Sequence, residues 1–485
     1  GDQDERDAEQ QGERIGRERL LSVGDQRQGQ LAVARRGGDL QQPHHALSLT
    51  TAVRYATGAS MAVQRAQRAF FAHRKAKAQG LPWTEETFAP TKTLGAPLAE
   101  YGERSPFETG VVRYISPNLR TRHSGASFAP LEKLEGVITP NGLHFERHHA
   151  GAPQVDPRHY RLVIHGMVER PLVLTLEDLK RFPSVTRTYF IECAGNGQNG
   201  YRNPPDPELT ATRSRGLASN ASWTGVPLAL LLKEAGVKPG ARWLIPEGMD
   251  AAMYTRSLPL EKAMEDVLVA YAQNGEALRP EQGYPVRLVV PGWEGSIQVK
   301  WLRRILVTDL PAMAKDETSE YTDVTADGRV LAFTWVMEPQ SIITYPSGGQ
   351  RVQPGFHEIR GLAWSGFGRI AKVEVSFDEG RTWRKAVLEP PVEPYAFVRF
   401  KLPWYWDGKE VVLWSRAWDE KGNTQPTREE FFRRWSRNNR YHYNAIQAWR
   451  ILPDGRVVNG DRPLGQGAFG PVGPVGGCGG EVLDV

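Results

Sequence analysis

Tyr189-Phe190-Ile191-Glu192-Cys193-Ala194-Gly195-Asn196-Gly197 joins an apolar strand to a glycine turn through one of the chain's two cysteines. A thiol at a strand end, followed by residues that let the backbone turn sharply, is held rigidly while its sulfur faces a cavity. Soft sulfur selects soft or higher-valent metals, and no second cysteine lies nearby to build a zinc or iron–sulfur site. The competing reading is a buried small hydrophobe, the common fate of a single cysteine after an apolar strand. The residues on either side decide between the two.

Upstream stands Asn141-Gly142-Leu143-His144-Phe145-Glu146-Arg147-His148-His149. Downstream follow Trp223-Thr224-Gly225-Val226-Pro227-Leu228, Glu247-Gly248-Met249-Asp250 and Gln282-Gly283-Tyr284-Pro285-Val286-Arg287. Val289-Val290-Pro291-Gly292, Gln298-Val299-Lys300-Trp301-Leu302 and Glu320-Tyr321 complete the series. With the cysteine segment, this ordered set resembles the sulfite oxidase family of molybdenum enzymes, from Leu134 to Trp449. The resemblance implies that Cys193 ligates molybdenum carried by one molybdopterin, a pyranopterin dithiolene. It implies catalytic roles for Arg147, Cys193 and Tyr321. It also places Phe145, Glu146, Arg147, His148, His149, Cys193, Asp250, Gln282, Arg287, Gln298, Val299 and Lys300 against the cofactor.

The residue chemistry suits that expectation. Arg147 and Arg287 are permanent cations that fork onto oxyanions, Lys300 is a point charge for a phosphate, and glycines 195 and 292 permit close backbone approach. Tyr321 donates a hydrogen bond without adding charge. Taken singly, each is ordinarily a surface ion pair or a core aromatic. His144, His148 and His149 offer a rival zinc or copper site, but they follow the turn Pro140-Asn141-Gly142 and lack a metalloprotease pattern.

Two departures from the family pattern bear on substrate. Gly197 and Gln198 stand where vertebrate and plant sulfite oxidases place arginine, and Gln282 replaces a histidine, keeping hydrogen bonding but not titration. Both resemble the branch containing SoxC, the sulfane dehydrogenase subunit of bacterial thiosulfate oxidation. A free sulfite dianion favours several converging cations, whereas sulfane sulfur carried on another protein's cysteine needs access and less charge. Carrier-bound sulfane sulfur is therefore the preferred substrate, with Arg202, Arg213 and Arg215 able to restore charge nearby. The alternatives are a dehydrogenase of free sulfite and a non-catalytic binding or scaffold subunit of the same fold. A reductase of sulfur or nitrogen oxides fits the sandwich and Tyr321 less well.

No Cys-x-x-Cys-His haem attachment occurs, so the expectation is no haem in this chain. Resemblance implies a separate cytochrome c subunit as electron acceptor, a sulfur-carrier protein as substrate donor, and a periplasmic location. At 485 residues, 40% hydrophobic and 24% charged, the chain can bury two sizeable cores. The net charge of +5 is spread thinly, which speaks against nucleic acid, and no apolar stretch reaches membrane-spanning length.

Residues 1–80 read as disorder or as an extension of the gene model, with Met61 a candidate start; no apolar core follows Arg35-Arg36 as a twin-arginine signal requires. Residues 81–325 read as an α+β catalytic domain of the molybdopterin-binding oxidoreductase type. Tyr160 to His165 shows strand alternation, a helix capped by Thr175 follows, and another runs from Pro227 to Gly236. After Thr325 the pattern becomes all-β: Val373, Val375 and Phe377 alternate with polar residues, and Asp378-Glu379-Gly380 makes a turn. Residues 326–455 are therefore expected to form an immunoglobulin-like β-sandwich, which the resemblance makes the dimerisation domain of a homodimer. Residues 456–485 form a Gly/Pro-rich tail in which Gly476-Gly477-Cys478-Gly479-Gly480 resembles a sulfur-carrier arm and could present sulfur in cis.

Overall fold

The strand Val185–Glu192 is β-branched and aromatic, and it pairs antiparallel with Ala218–Pro227 from Val185↔Gly225 to Glu192↔Ala218. Leu268–Gln273 adds to the far side of Ala218–Pro227, and Glu276–Ala277 and Arg287–Val289 each pair with Leu268–Gln273. This five-stranded sheet carries Cys193 at one strand end and Arg287 at another. The computed structural model of the chain describes residues 94–117, 121 and 123–465. Arg35-Arg36, Met61 and Cys478 lie outside the described residues.

A second five-stranded sheet runs in the order Leu172–Leu174, Leu162–Gly166, Leu302–Thr308, Trp243–Gly248, Leu258–Pro259. Leu302–Thr308 is parallel to Leu162–Gly166, and the other pairings in this sheet are antiparallel. Short helices fill the gap between the sheets. Leu228–Ala235 buries Leu228, Leu231, Leu232 and Ala235, the spacing of a single helical face, and stops at Gly236 with φ +69. Leu176–Arg181 starts with the Thr175–Asp178 capping box. The α+β expectation holds for this part.

Beyond the hairpin Thr322–Val324 and Val330–Ala332, two sheets pack face to face. One has the order Gln340–Tyr345, Gly355–Trp364, Val398–Trp406, Val387–Glu389, and the other Arg384–Lys385, Ile370–Ser376, Val411–Asp419, Ala448–Ile451, Val457–Asn459. Val373 and Val375 point inward as the alternation required. The all-β expectation needs one correction. Thr427 and Glu430 form a capping box that starts a helix at Arg428–Arg434, and an irregular stretch carries the chain from it back toward Cys193.

The α+β part and the sandwich share one core. Phe190, Ile191, Cys193 and Trp223 cluster with Trp364, Phe397 and Val398, and Phe190 N donates to Tyr395 O at 2.7 Å. Gly292, expected beside a cofactor, lies instead at this junction, where a β-carbon would stand 2.5 Å from Gly366 O. Gly348 is tighter still, with Leu209 O 1.9 Å from its β-carbon position. Gly348→Ala must move backbone, so it is expected to destabilise by about 1–3 kcal/mol, lowering the urea midpoint with an unchanged slope. No described helix is long and apolar enough to cross a membrane.

Candidate active site

Cys193 N donates to Leu217 O at 2.9 Å and Cys193 O accepts from Asn196 N at 2.8 Å, so the cysteine ends the sheet and begins the turn. Asn196 pins that turn. Its Nδ2 donates to Glu192 Oε1 at 2.8 Å, and its Oδ1 accepts from Leu217 N at 3.1 Å. Glu192 is fully buried and also accepts from Gln340 Nε2 at 2.6 Å and Trp364 Nε1 at 2.7 Å, both from the sandwich. Burial raises its carboxyl to about 7, against the opposing hydrogen bonds of Asn196 and Trp364. Glu192→Ala strands these donors and leaves a cavity, an expected loss of about 3–5 kcal/mol measurable by chemical denaturation.

Cys193 opens onto a cleft with about 670 Å³ of empty space, its open mouth included. Phe145, Arg147, His148, His149, Asp250, Gln282, Arg287, Gln298, Val299, Lys300 and Tyr321 line it with the cysteine. Glu146 does not line it. Its carboxylate pairs with Arg113 and accepts from His148 Nε2 at 2.8 Å, so it orients a lining residue from behind. Gln298 lines the cleft while its amide is spent on the loop, with Oε1 accepting from Val290 N at 3.2 Å and Nε2 donating to Trp293 O at 2.9 Å. Arg202 and Arg213 turn instead to Asp206, and Arg215 is buried with NH2 donating to Ala445 O at 2.9 Å. These three arginines therefore do not restore charge to the cleft wall.

Two of the cleft's cations, Arg287 and Lys300, are held by carbonyls and an imidazole rather than by carboxylates. Arg287 donates to Gln282 O at 3.0 Å, Gln298 O at 3.2 Å and Leu288 O at 3.2 Å, and burial lowers its pKa to about 9. Lys300 donates to Glu281 O at 3.0 Å, Arg147 O at 3.1 Å and His148 Nδ1 at 2.9 Å. Burial and then Arg287 hold it well below the usual lysine range. Gly283, at φ +107, lets the two approach, since a β-carbon there would lie 3.1 Å from both Arg287 Cβ and Lys300 Cβ. Among the described residues no carboxylate is within ion-pair distance of either. Unpaired buried cations are costly, so such a pair calls for an anion.

The histidines are neutral and directional. His148 Nδ1 accepts from Lys300, which leaves Nε2–H to donate to Glu146. Burial lowers His144 and His149 to about 3. His144 Nδ1 donates to Phe145 O at 3.1 Å, so its Nε2, buried without a partner, is an acceptor at the cleft wall. The three imidazoles do not converge, and no group of three or more His, Cys, Asp or Glu among the described residues could hold a metal. The rival zinc or copper site therefore has no support in the geometry.

Several lining residues were not singled out as site residues in the sequence: Ile191, Tyr254, Gly295, Ser296 and Trp301, with His144 read only within its loop and as part of the rival zinc or copper site. Tyr254 stacks on His149 at 5.0 Å, and Trp301 lines the wall at φ +50, a conformation rare for a bulky residue. Arg256 was missed as well. Buried, it donates to Glu294 Oε1 at 3.0 Å and to Ser296 Oγ, and its guanidinium stands 4.6 Å over the Tyr321 ring. Ile191 belongs to the cysteine strand, whereas Gly295 and Ser296 form a short 3-10 turn and Tyr254, Arg256 and Trp301 lie in loops, where no period marks them.

A cleft with one buried thiol, unpaired buried cations and an orphaned imidazole acceptor fits an anionic ligand that carries N–H donors and a thiophilic metal. Comparison with known proteins agrees. Residues 149–315 match the family model of the oxidoreductase molybdopterin binding domain, and residues 332–449 that of the Mo-co oxidoreductase dimerisation domain. Sulfite oxidase of Gallus gallus is 33% identical over 363 residues, 70% of this chain and 78% of that protein. An NADH nitrate reductase of Ulva prolifera is 33% identical over 338 residues, 60% of this chain, which spans only 38% of that longer protein. The crystal structure of the sulfane dehydrogenase SoxCD from Paracoccus pantotrophus superposes with a TM-score of 0.74 at 45% identity, covering 78% of this chain and 96% of that one.

Proposed function

Because the chain belongs to the sulfite oxidase family of molybdopterin-binding oxidoreductases, we propose that it oxidises sulfane sulfur carried on a partner protein and passes the electrons to a cytochrome c subunit in the periplasm. The observation that carries the substrate choice is the space beside Gly197. A β-carbon there would stand 2.6 Å from Tyr443 O and 2.7 Å from Arg215 NH1, so no cationic side chain can extend from this position toward the cleft. With Arg202, Arg213 and Arg215 engaged elsewhere, the cleft suits a substrate delivered on a carrier better than a small dianion that needs converging cations. The 45% identity to a sulfane dehydrogenase supports the same choice.

Cys193 would hold molybdenum, while Arg287, Lys300 and the acceptor His144 Nε2 would hold the anionic pterin group. When bound, this cofactor supplies oxygen-atom transfer and two-electron redox chemistry. Arg147 places a permanent cation where negative charge collects, and Tyr321 is kept protonated by burial so that it donates rather than repels. Gln282 Nε2 donates to Phe145 O at 2.9 Å while its backbone carbonyl receives Arg287, tying two walls together.

The sandwich would pair two copies, as the matched dimerisation family suggests. Steady-state reduction of cytochrome c is expected to show a kcat/KM at least about tenfold higher with sulfur-loaded carrier than with free sulfite. The reverse ratio would favour the second reading, a free-sulfite dehydrogenase, which the likeness to chicken sulfite oxidase keeps in play. No turnover with either would leave a binding subunit.

A further inference from the structure

We infer that residues Tyr441, His442 and Tyr443, sent back by the C-terminal part of the chain, are the positioning element of the cleft. They hold the Cys193 turn, the Gly295-Ser296 wall and Tyr321 in one register. This deepens the reading above and rests on the cleft being the reaction site.

His442 reaches all three walls, and its two neighbours each reinforce one of them. His442 N donates to Ala194 O at 2.9 Å, one residue past Cys193. The His442 ring sits between two buried carboxylates, with Nδ1 2.6 Å from Asp323 Oδ2 and Nε2 3.3 Å from Glu294 Oε2. Glu294 in turn receives Ser296 Oγ at 2.6 Å, and Gly295 packs so closely on the cysteine strand that a β-carbon would lie 2.9 Å from Glu192 O. Asp323 follows Tyr321 by two positions and is held as well by Asn439 Nδ2 at 2.9 Å.

Tyr441 acts on the third wall directly. Its ring lies 5.0 Å from that of Tyr321 and its hydroxyl donates to Glu320 Oε2 at 2.9 Å. Tyr443 packs under the cysteine turn, where a β-carbon on Gly200 would meet its ring at 2.1 Å. The turn's glycines and Tyr443 are thus one fitted unit. His442 holds φ +55, a strained value for a non-glycine residue that persists only where surroundings over-determine it.

An imidazolium shared by two buried carboxylates acts as a bolt. Without it the carboxylates repel, and the segments carrying Ser296 and Tyr321 separate by the small distances that a preorganised site does not tolerate. His442 touches neither cofactor nor substrate in this account, so its role is positioning rather than catalytic.

The test compares His442→Gln with wild type, both carrying Cys478→Ser and purified from a host that makes the molybdenum cofactor. Glutamine keeps a side-chain donor and the backbone amide but removes the cation. The expected result is retained molybdenum, kcat lower by about 10- to 100-fold with KM changed less than about threefold, and shifted g-values in the Mo(V) electron paramagnetic resonance spectrum. In cofactor-free protein, iodoacetamide is expected to alkylate Cys193 at least about fivefold faster than in wild type. A folded His442→Gln protein with wild-type kcat, spectrum and alkylation rate would overturn the inference.

Should that variant fail to accumulate, Tyr441→Phe decides. It is expected to lose about 3- to 10-fold in kcat at an unchanged melting temperature, and unchanged kcat and spectrum would overturn the inference. Wild type without molybdenum would sink the reading of the cleft itself, while the alkylation comparison would still decide the positioning role.

Discussion

Cys193→Ser is expected to cut turnover at least about 1,000-fold while leaving the fold intact. The side chain is 7% exposed and nearly isosteric with serine, and its backbone hydrogen bonds to Leu217 and Asn196 do not depend on the sulfur. The destabilisation should therefore stay within about 1 kcal/mol. What changes is the ligand. A serine hydroxyl remains protonated near neutral pH, whereas a thiol is readily deprotonated beside a metal and is the softer donor. Equal melting curves for the two proteins, with turnover lost in the variant, would check this. Substantial turnover in a molybdenum-loaded variant would remove Cys193 from its assigned role.

Arg287→Met carries the next largest expected effect, on cofactor retention. The guanidinium is buried and draws together three carbonyls, those of Gln282, Leu288 and Gln298, while facing the cleft without a carboxylate partner. Charge-assisted hydrogen bonds to an anion are each about 1.5–3 kcal/mol, so its loss should weaken cofactor binding by about 10- to 100-fold. Molybdenum per chain after gel filtration is the readout. Met fills much of the stem's volume, which separates lost charge from lost packing. Undiminished molybdenum in the variant would place the anionic group elsewhere in the cleft.

Much of the site was legible because it lies where periodicity meets punctuation. The Val185–Glu192 strand ends in a glycine turn at Cys193, and the Leu228–Ala235 helix is bracketed by Pro227 and Gly236. The sandwich strands announce themselves through alternating Val373 and Val375. Less was legible where tertiary contact alone assigns meaning. Thr427 and Glu430 carry a readable capping box, yet the surrounding strand pattern hid the helix Arg428–Arg434. The stretch through Tyr441, His442 and Tyr443 has no period and reads as a polar loop, although His442 is buried between Asp323 and Glu294.

Charge was easier to count than to place. Gly197 was read as a missing cation, and the structure supplies the reason as steric: Tyr443 O and Arg215 occupy the space a side chain would need. Arg215 looked available in sequence because it follows the cysteine closely, but Ala445 O and Ser214 take its guanidinium. Gly292 belonged to a matched motif and proved to be a junction residue against Gly366. Glu146 supports His148 from behind the cleft wall. For Gly197, Arg215 and Gly292 the decisive partner is distant in sequence, whereas Glu146 is turned by its near neighbour His148 together with Arg113.

Elemental analysis of purified wild-type protein from a cofactor-competent host reads out whether the cleft binds molybdenum. About one molybdenum per chain is expected, since a single thiolate faces the cleft. Protein that is folded and dispersed yet holds no molybdenum would contradict the account, leaving the buried cations Arg287 and Lys300 to be explained by some other anion.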